Sequence, residues 1–195
     1  MIRKLLVAFV CLLPALPVWS QTAPAAVEGD LPLTVGGGFS SFNLDFGAGR
    51  RMTGPTLWAD WNLSGHRFVP RGLALEGEGR SIRWGLPQGF SQMKEETLLG
   101  GVRYSWEHYK NVRPYVKYLA GIGSIDFPPY QGYAHDTRTV WAPGGGVVVH
   151  AYKQVWVRGD FEYQQWRHIF GGYQLTPNGV TFGVEYHFQH QTAFK

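Results

Sequence analysis

Two runs of alternating charge hold the side chains best placed to do chemistry. Glu76, Glu78 and Arg80 occupy every second position of one segment, and Arg158, Asp160 and Glu162 do so in another. On an extended chain such residues share a face, and two carboxylates so spaced can divide acid and base work between them. The competing use is structural, because charges taken out of water must be paired and an internal salt-bridge network pairs them. Nucleophilic catalysis would need a hydroxyl or thiol beside an imidazole that a carboxylate orients. His168-Ile169-Phe170 has Phe where that nucleophile would stand, and His150 is followed by Ala151 and Tyr152. His135 and Asp136, next to Thr137, are adjacent in sequence and so point to opposite faces of an extended chain. The seven His residues are scattered singly, without metal-ligand spacing. Gly36-Gly37-Gly38 and Gly144-Gly145-Gly146 lack the Lys-Ser/Thr that completes a phosphate loop. We therefore expect no catalytic residue, no metal and no cofactor, and read the charged runs as a network.

The elements that must hold this network are strands. The 195 residues include 26 Gly, with 15% aromatic and only 16% charged residues. That balance disfavours a disordered chain and a helical bundle alike, and a mean hydropathy of -0.19 excludes a multi-span helical protein. Residues 1–20 read as a secretory signal peptide. Arg3 and Lys4 precede an apolar stretch from Leu5 to Val18, broken by Pro14 and Pro17, and Val18-Trp19-Ser20 supplies the cleavage site. Residues 21–32 read as a linker. Cys11 leaves with the peptide, so the mature chain has no thiol chemistry. Losing Arg3 and Lys4 leaves 16 basic against 14 acidic residues, a net charge of +2, and no argument for nucleic acid.

Period-2 segments separated by Gly, Pro, Asn or Asp place eight strands at about 33–43, 54–63, 72–84, 95–106, 113–125, 139–151, 154–166 and 178–188. They match the ~9–11 residues that a tilted strand needs to cross a bilayer, which predicts an all-β, eight-stranded antiparallel up-and-down transmembrane barrel over 33–188, with a tail at 189–195. A soluble barrel turns its apolar face inward and a membrane barrel turns it outward. The polar face carries Asp60, Glu76, Glu78, Arg80, Arg103, Lys117, Arg158, Asp160, Glu162 and Glu185, six acids and four bases interspersed with Gly. Near-balanced charge with small residues suits a narrow lumen better than a wetted surface. Six tryptophans fall near strand ends, as interfacial girdles require. Trp61, Trp106 and Trp141 have outward parity; Trp84, Trp156 and Trp166 have inward parity unless a bulge shifts them.

The last segment, Thr181-Phe182-Gly183-Val184-Glu185-Tyr186-His187-Phe188, resembles the terminal-strand signal read by the outer-membrane barrel insertion machinery, carried here by Gly183, Val184, Tyr186 and Phe188. Seven residues follow Phe188, where many such chains stop at the aromatic. Over residues 33–188 the chain resembles the OmpA-like/OmpX-like family of small outer-membrane β-barrels. The resemblance implies export through the secretory pathway to a bacterial outer membrane, a monomer, and both termini in the periplasm. Connections 44–53, 85–94, 126–138 and 167–177 would then face outside, and the turns 64–71, 107–112 and 151–153 the periplasm. The partners implied are outer-membrane lipid or lipopolysaccharide, the insertion machinery, and an extracellular partner reached through the loops. The role expected is structural or surface-interactive, with a lumen plugged by the charged network, so that Arg158→Ala would raise conductance. The alternatives are a narrow gated channel, a lipid A-modifying enzyme, which the missing nucleophile weakens, and a soluble barrel for an apolar ligand.

Overall fold

The computed structural model describes residues 32–44, 51–63, 69–84, 93–108, 110–127, 134–169 and 172–188. The signal peptide, most of the linker and the tail expected at 189–195 lie outside them. The strands are β1 (Leu33–Asn43), β2 (Arg51–Asn62), β3 (Leu73–Trp84), β4 (Met93–Ser105), β5 (Val112–Phe127), β6 (Ala134–Tyr152), β7 (Val155–Tyr163), β8 (Gln165–Ile169), β9 (Tyr173–Leu175) and β10 (Asn178–His187). No helix occurs among the described residues.

These ten segments make eight staves. β8 carries β7 onward in the same register against β6, after an interruption at Gln164. β9 likewise leads into β10 across Thr176 and Pro177. The Gln164 amide donates to the Pro177 carbonyl at 2.7 Å and bridges the two gaps. Pro, with no N–H to give a ladder, sits where the ladder is already broken. Antiparallel pairing runs from β1 through β2, β3, β4, β5, β6 and β7 to β10, and β10 pairs with β1, so the barrel closes without an edge. The fold is an eight-stranded antiparallel transmembrane β-barrel.

β1 has the bounds read from sequence, and most other strands run longer. β5 and β6 extend the most: of the stretch expected as a loop over 126–138, residues 126–127 and 134–138 are strand, and 128–133 lie outside the described residues. Its Pro, Tyr and Gly content reads as a loop, but the hairpin ladder continues through Asp126↔His135 and Ile125↔Asp136. The connection expected at 167–177 likewise contains the end of β8 and all of β9, β2 begins at Arg51 rather than 54, and the turn expected at 151–153 tightens to Lys153-Gln154.

The polarity of each stave reverses along its length. Near the end where Leu33 and His187 lie, here the terminal end, apolar side chains point out: Leu57, Leu98, Val116, Val157 and Phe182 are all exposed. Toward the far end the outward positions become Ser41, Thr53, Arg83, Glu96, Thr139 and Arg167. There the inward positions are apolar, and Phe42, Met52, Ile82, Leu119, Ile125, Val140 and Trp166 pack into one core, none above 1% exposed. On β5 the outward apolar run spans Val112 to Ile122. At ~3.3 Å per residue and a tilt near 40° that is about 25 Å, the height of a lipid-facing band. Beyond the band the wall is built like a small water-exposed barrel with an oily centre.

Candidate functional site: the lumenal charge network

The ten charged residues read from the polar face all point into the lumen, none above 6% exposed. Their alternation puts them there: the inward positions of β2, β3 and β7 are even-numbered, and those of β4, β5 and β10 odd. Lys117 is the hub. Its Nζ lies 2.6 Å from Glu78, 2.8 Å from Glu162, 3.5 Å from Asp160 and 3.6 Å from Glu76. Arg158 reaches Glu76 at 2.7 Å and Asp160 at 2.8 Å. Arg80 pairs with Glu162 at 2.9 Å and with Glu78. Arg103 holds Asp60 at 2.5 Å and lies 3.6 Å from Glu185. Strands distant in sequence are thus tied across the lumen, because a charge with no water must find its partner there.

Several groups complete the network that charge counting does not reveal. Tyr115 donates to Asp160 at 2.7 Å, and Trp58 donates through Nε1 to Glu185 at 3.2 Å. The Arg103 guanidinium stacks 4.0 Å over the Tyr115 ring, and Arg158 lies 4.6 Å over Trp58. Room for Trp58 comes from Gly36 and Gly183, where a Cβ would stand 2.4 and 2.6 Å from the indole. At the boundary with the apolar core, Gln164 donates to Glu162 at 2.9 Å and accepts from Trp166 at 2.8 Å.

Glu95 is an eleventh lumenal charge, 1% exposed, whose carboxylate makes no hydrogen bond among the described residues. It shares parity with Thr97 at the start of the strand read over 95–106, a signal sufficient to find it. It brings the buried carboxylates to seven against four cations. Near the terminal end, His150 and His187 both pack on Trp156, with ring centroids 4.9 and 5.1 Å away, and Arg113 lies over the same ring. A cavity of about 60 Å³ opens beside them, lined by Asp60, Arg103, Arg113, Glu185 and His187 among others, room for little more than water.

The catalytic arrangements weighed from sequence find these surroundings. The Glu76–Glu78 and Asp160–Glu162 pairs face cations rather than an open cleft. His135 draws its carboxylate from Asp126 across the hairpin at 2.6 Å, with the Thr137 hydroxyl 3.3 Å from its other nitrogen, while Asp136 turns to Arg138. The His135 side chain is 48% exposed, so this line lacks the dry setting that strengthens such contacts. No group of three or more metal-ligating side chains occurs among the described residues.

Trp61, Trp106 and Trp141 point outward, and Trp156 and Trp166 point into the lumen with no shift of register. Trp61 and Trp106 lie near the terminal end of the apolar band and Trp141 at its far limit. Trp84 packs partly buried against the apolar core. Gly183 points inward at Trp58, while Val184, Tyr186 and Phe188 are exposed on the wall.

No protein-family model matches the chain, and no curated protein matches it in sequence. Solved structures do match its shape. Neisserial surface protein A superposes with a TM-score of 0.65 at 12% identity, over 82% of this chain and 99% of that one. Ail, the attachment invasion locus protein of Yersinia pestis, gives 0.57 at 14%, over 79% and 96%. The outer membrane protein OprG from Pseudomonas aeruginosa gives 0.52 at 13%, over 79% and 94%. At these identities the likeness is one of fold, the small outer-membrane barrel.

Proposed function

We propose that this chain is an outer-membrane barrel of a Gram-negative bacterium with a sealed lumen, whose work is done on its outside: holding its place in the bilayer and meeting partners at its far end. The observation that supports the reading is the run of buried inward side chains, the salt-bridge network and, beyond it, the apolar core around Leu119 and Trp166, read here as two seals in series. An ion would have to break buried pairs in the first and cross a dry constriction in the second. The outward apolar band supports a bilayer location. The printed names of two structures of like fold, a surface protein and an attachment invasion locus protein, support a role in surface contact. On this reading residues 1–20 direct export, the terminal end is periplasmic, and Gly183, Val184, Tyr186 and Phe188 address the chain to the insertion machinery.

Two measurements test this. Membrane fractionation with a gel of boiled and unboiled samples should place the protein in the outer membrane, with a folded band that shifts on boiling. Recovery as a soluble periplasmic protein would overturn the location. Planar bilayers holding the folded protein should stay electrically silent, and steady openings would favour the channel alternative.

A further inference from the structure

We infer that the cavity at the terminal mouth of the lumen binds a primary ammonium group, which enters head first on a linear amine. The site belongs to the lumen and stands whether or not the bilayer reading does. Its walls come from adjacent staves. His187, Thr34, Asp60 and Glu76 form one inward row across β10, β1, β2 and β3. Asn62, Ala74 and Arg103 form the next row toward the turns, across β2, β3 and β4. In that second row β3 offers only the methyl group of Ala74, and Gly72 follows it outward. About 60 Å³ is therefore left open, lined by Thr34, Asp60, Asn62 and Ser105 among others. Glu107, exposed beyond the end of β4, also lines the cavity and carries it out to solvent.

Two observations point to a cation there. The first is a shortage of positive charge. The one guanidinium of Arg103 lies 2.5, 3.6 and 4.0 Å from Asp60, Glu185 and Glu76. Arg158 and Lys117, which also reach Glu76, are both shared with Asp160. At the rim, Arg113 and Glu107 offset each other's charge. The second observation is an orphan acceptor. Asp60 is 5% exposed, its Oδ2 accepts from Arg103, and its Oδ1 has no hydrogen-bond partner among the described residues. Leaving a charged group so unsatisfied is costly, and Arg103 is held elsewhere, stacked 4.0 Å over the Tyr115 ring. An ammonium brings one charge and three donors. Asp60 Oδ1 offers it a charged acceptor, and the hydroxyls of Thr34 and Ser105 line the same cavity. Space for little more than water admits such a head and excludes a quaternary one.

The test is isothermal titration of the full folded chain in detergent micelles with n-butylammonium, and with n-butanol, tetramethylammonium and potassium ion for comparison. Butylammonium should bind once per chain and more tightly than each of the other three. Asp60→Asn should weaken it by roughly tenfold or more, the worth of one charge-assisted hydrogen bond. Asp60 also holds Arg103, so Ala74→Val supplies a second route: it fills the cavity, leaves every charge in place, and should abolish binding while the folded band in unboiled gels is kept. Glu95→Gln removes a lumenal carboxylate that stands between Ile82 and Ile125 in the apolar core, and should leave the affinity unchanged. No binding of butylammonium, equal binding of butanol, tetramethylammonium or potassium, or full binding by the Ala74→Val chain would each overturn the inference. So would a loss with Glu95→Gln equal to that with Asp60→Asn, which would assign the attraction to the charge of the whole lumen. Recovery of the chain as a soluble protein would refute the bilayer location and leave this site standing.

Discussion

Replacing Arg158 by Ala separates the two proposed seals. The side chain is fully buried, and its guanidinium pairs with Glu76 at 2.7 Å and Asp160 at 2.8 Å. Removing it leaves Glu76 and Asp160 sharing Lys117, which also serves Glu78 and Glu162. Breaking a buried pair costs about 3–5 kcal/mol, because the surviving charge is left uncompensated. The variant should therefore unfold at lower urea, read as loss of the fast-migrating band in unboiled gels. Counting the network alone, the same change would open a pore. The apolar core alters that expectation, because Leu119, Val140 and Trp166 are untouched and still close the far half. Arg158→Ala should be less stable and yet silent in planar bilayers. Conduction should need a second change such as Trp166→Ala, which removes the side chain that fills the space over Gly123. Arg158→Met, keeping volume without charge, should recover part of the lost stability and also stay silent. Steady openings from Arg158→Ala alone would refute two seals in series and make the network the single barrier.

Other perturbations read other parts of the lumen. Glu95→Gln replaces a buried carboxylate that makes no hydrogen bond among the described residues with a neutral amide, so stability to urea should rise by about 1 kcal/mol; a fall of that size in equilibrium unfolding would mean that the attraction of Arg80 for its charge outweighs the cost of burying it. Gly36→Ala puts a methyl group 2.4 Å from the Trp58 indole, which should cost about 1–3 kcal/mol and shift tryptophan emission, whereas Gly77→Ala should stay within about 0.5 kcal/mol of the parent. Phe188→Ala should slow assembly in reactions supplied with the insertion machinery while leaving spontaneous refolding into vesicles unchanged, and equal slowing in both would assign Phe188 to the wall alone.

How much was legible in the sequence varies with position along the staves. In the middle of the strands, Val180, Phe182 and Val184 alternate with Thr181, Gly183 and Glu185, and one face is oily while the other is not. There alternation resolves both the strand and its inward charges, and Trp61 and Trp156 follow the same parity to opposite sides. At the far end the contrast inverts: Ile82 lies between Ser81 and Arg83, and Leu99 follows Leu98, so parity survives but no longer says which side is lipid. The apolar core stayed hidden because its residues look like wall residues until the height of the bilayer band is known. The extension of β5 and β6 was hidden for another reason. The Pro, Tyr and Gly content of 126–138 reads as a loop, yet Asp126 and His135 lie in strand held by long-range pairing, which no local propensity records.

The reversal of polarity along the staves also sets the protein's draught in its membrane. Sinking by one residue pair would draw Glu96 toward the hydrocarbon and bring Thr53 and Arg83 to its edge, where a charged side chain on a barrel wall costs about 0–1 kcal/mol, growing to about 2–4 kcal/mol toward the midplane. Rising by the same step would lift Leu57, Leu98 and Phe161 into water. Both displacements are opposed on several staves at once, so the barrel has one stable waterline and little freedom to tilt about it. Its far rim is then carried at a fixed height above the lipid, like the freeboard of a moored hull, and whatever meets that rim meets it at the same level each time.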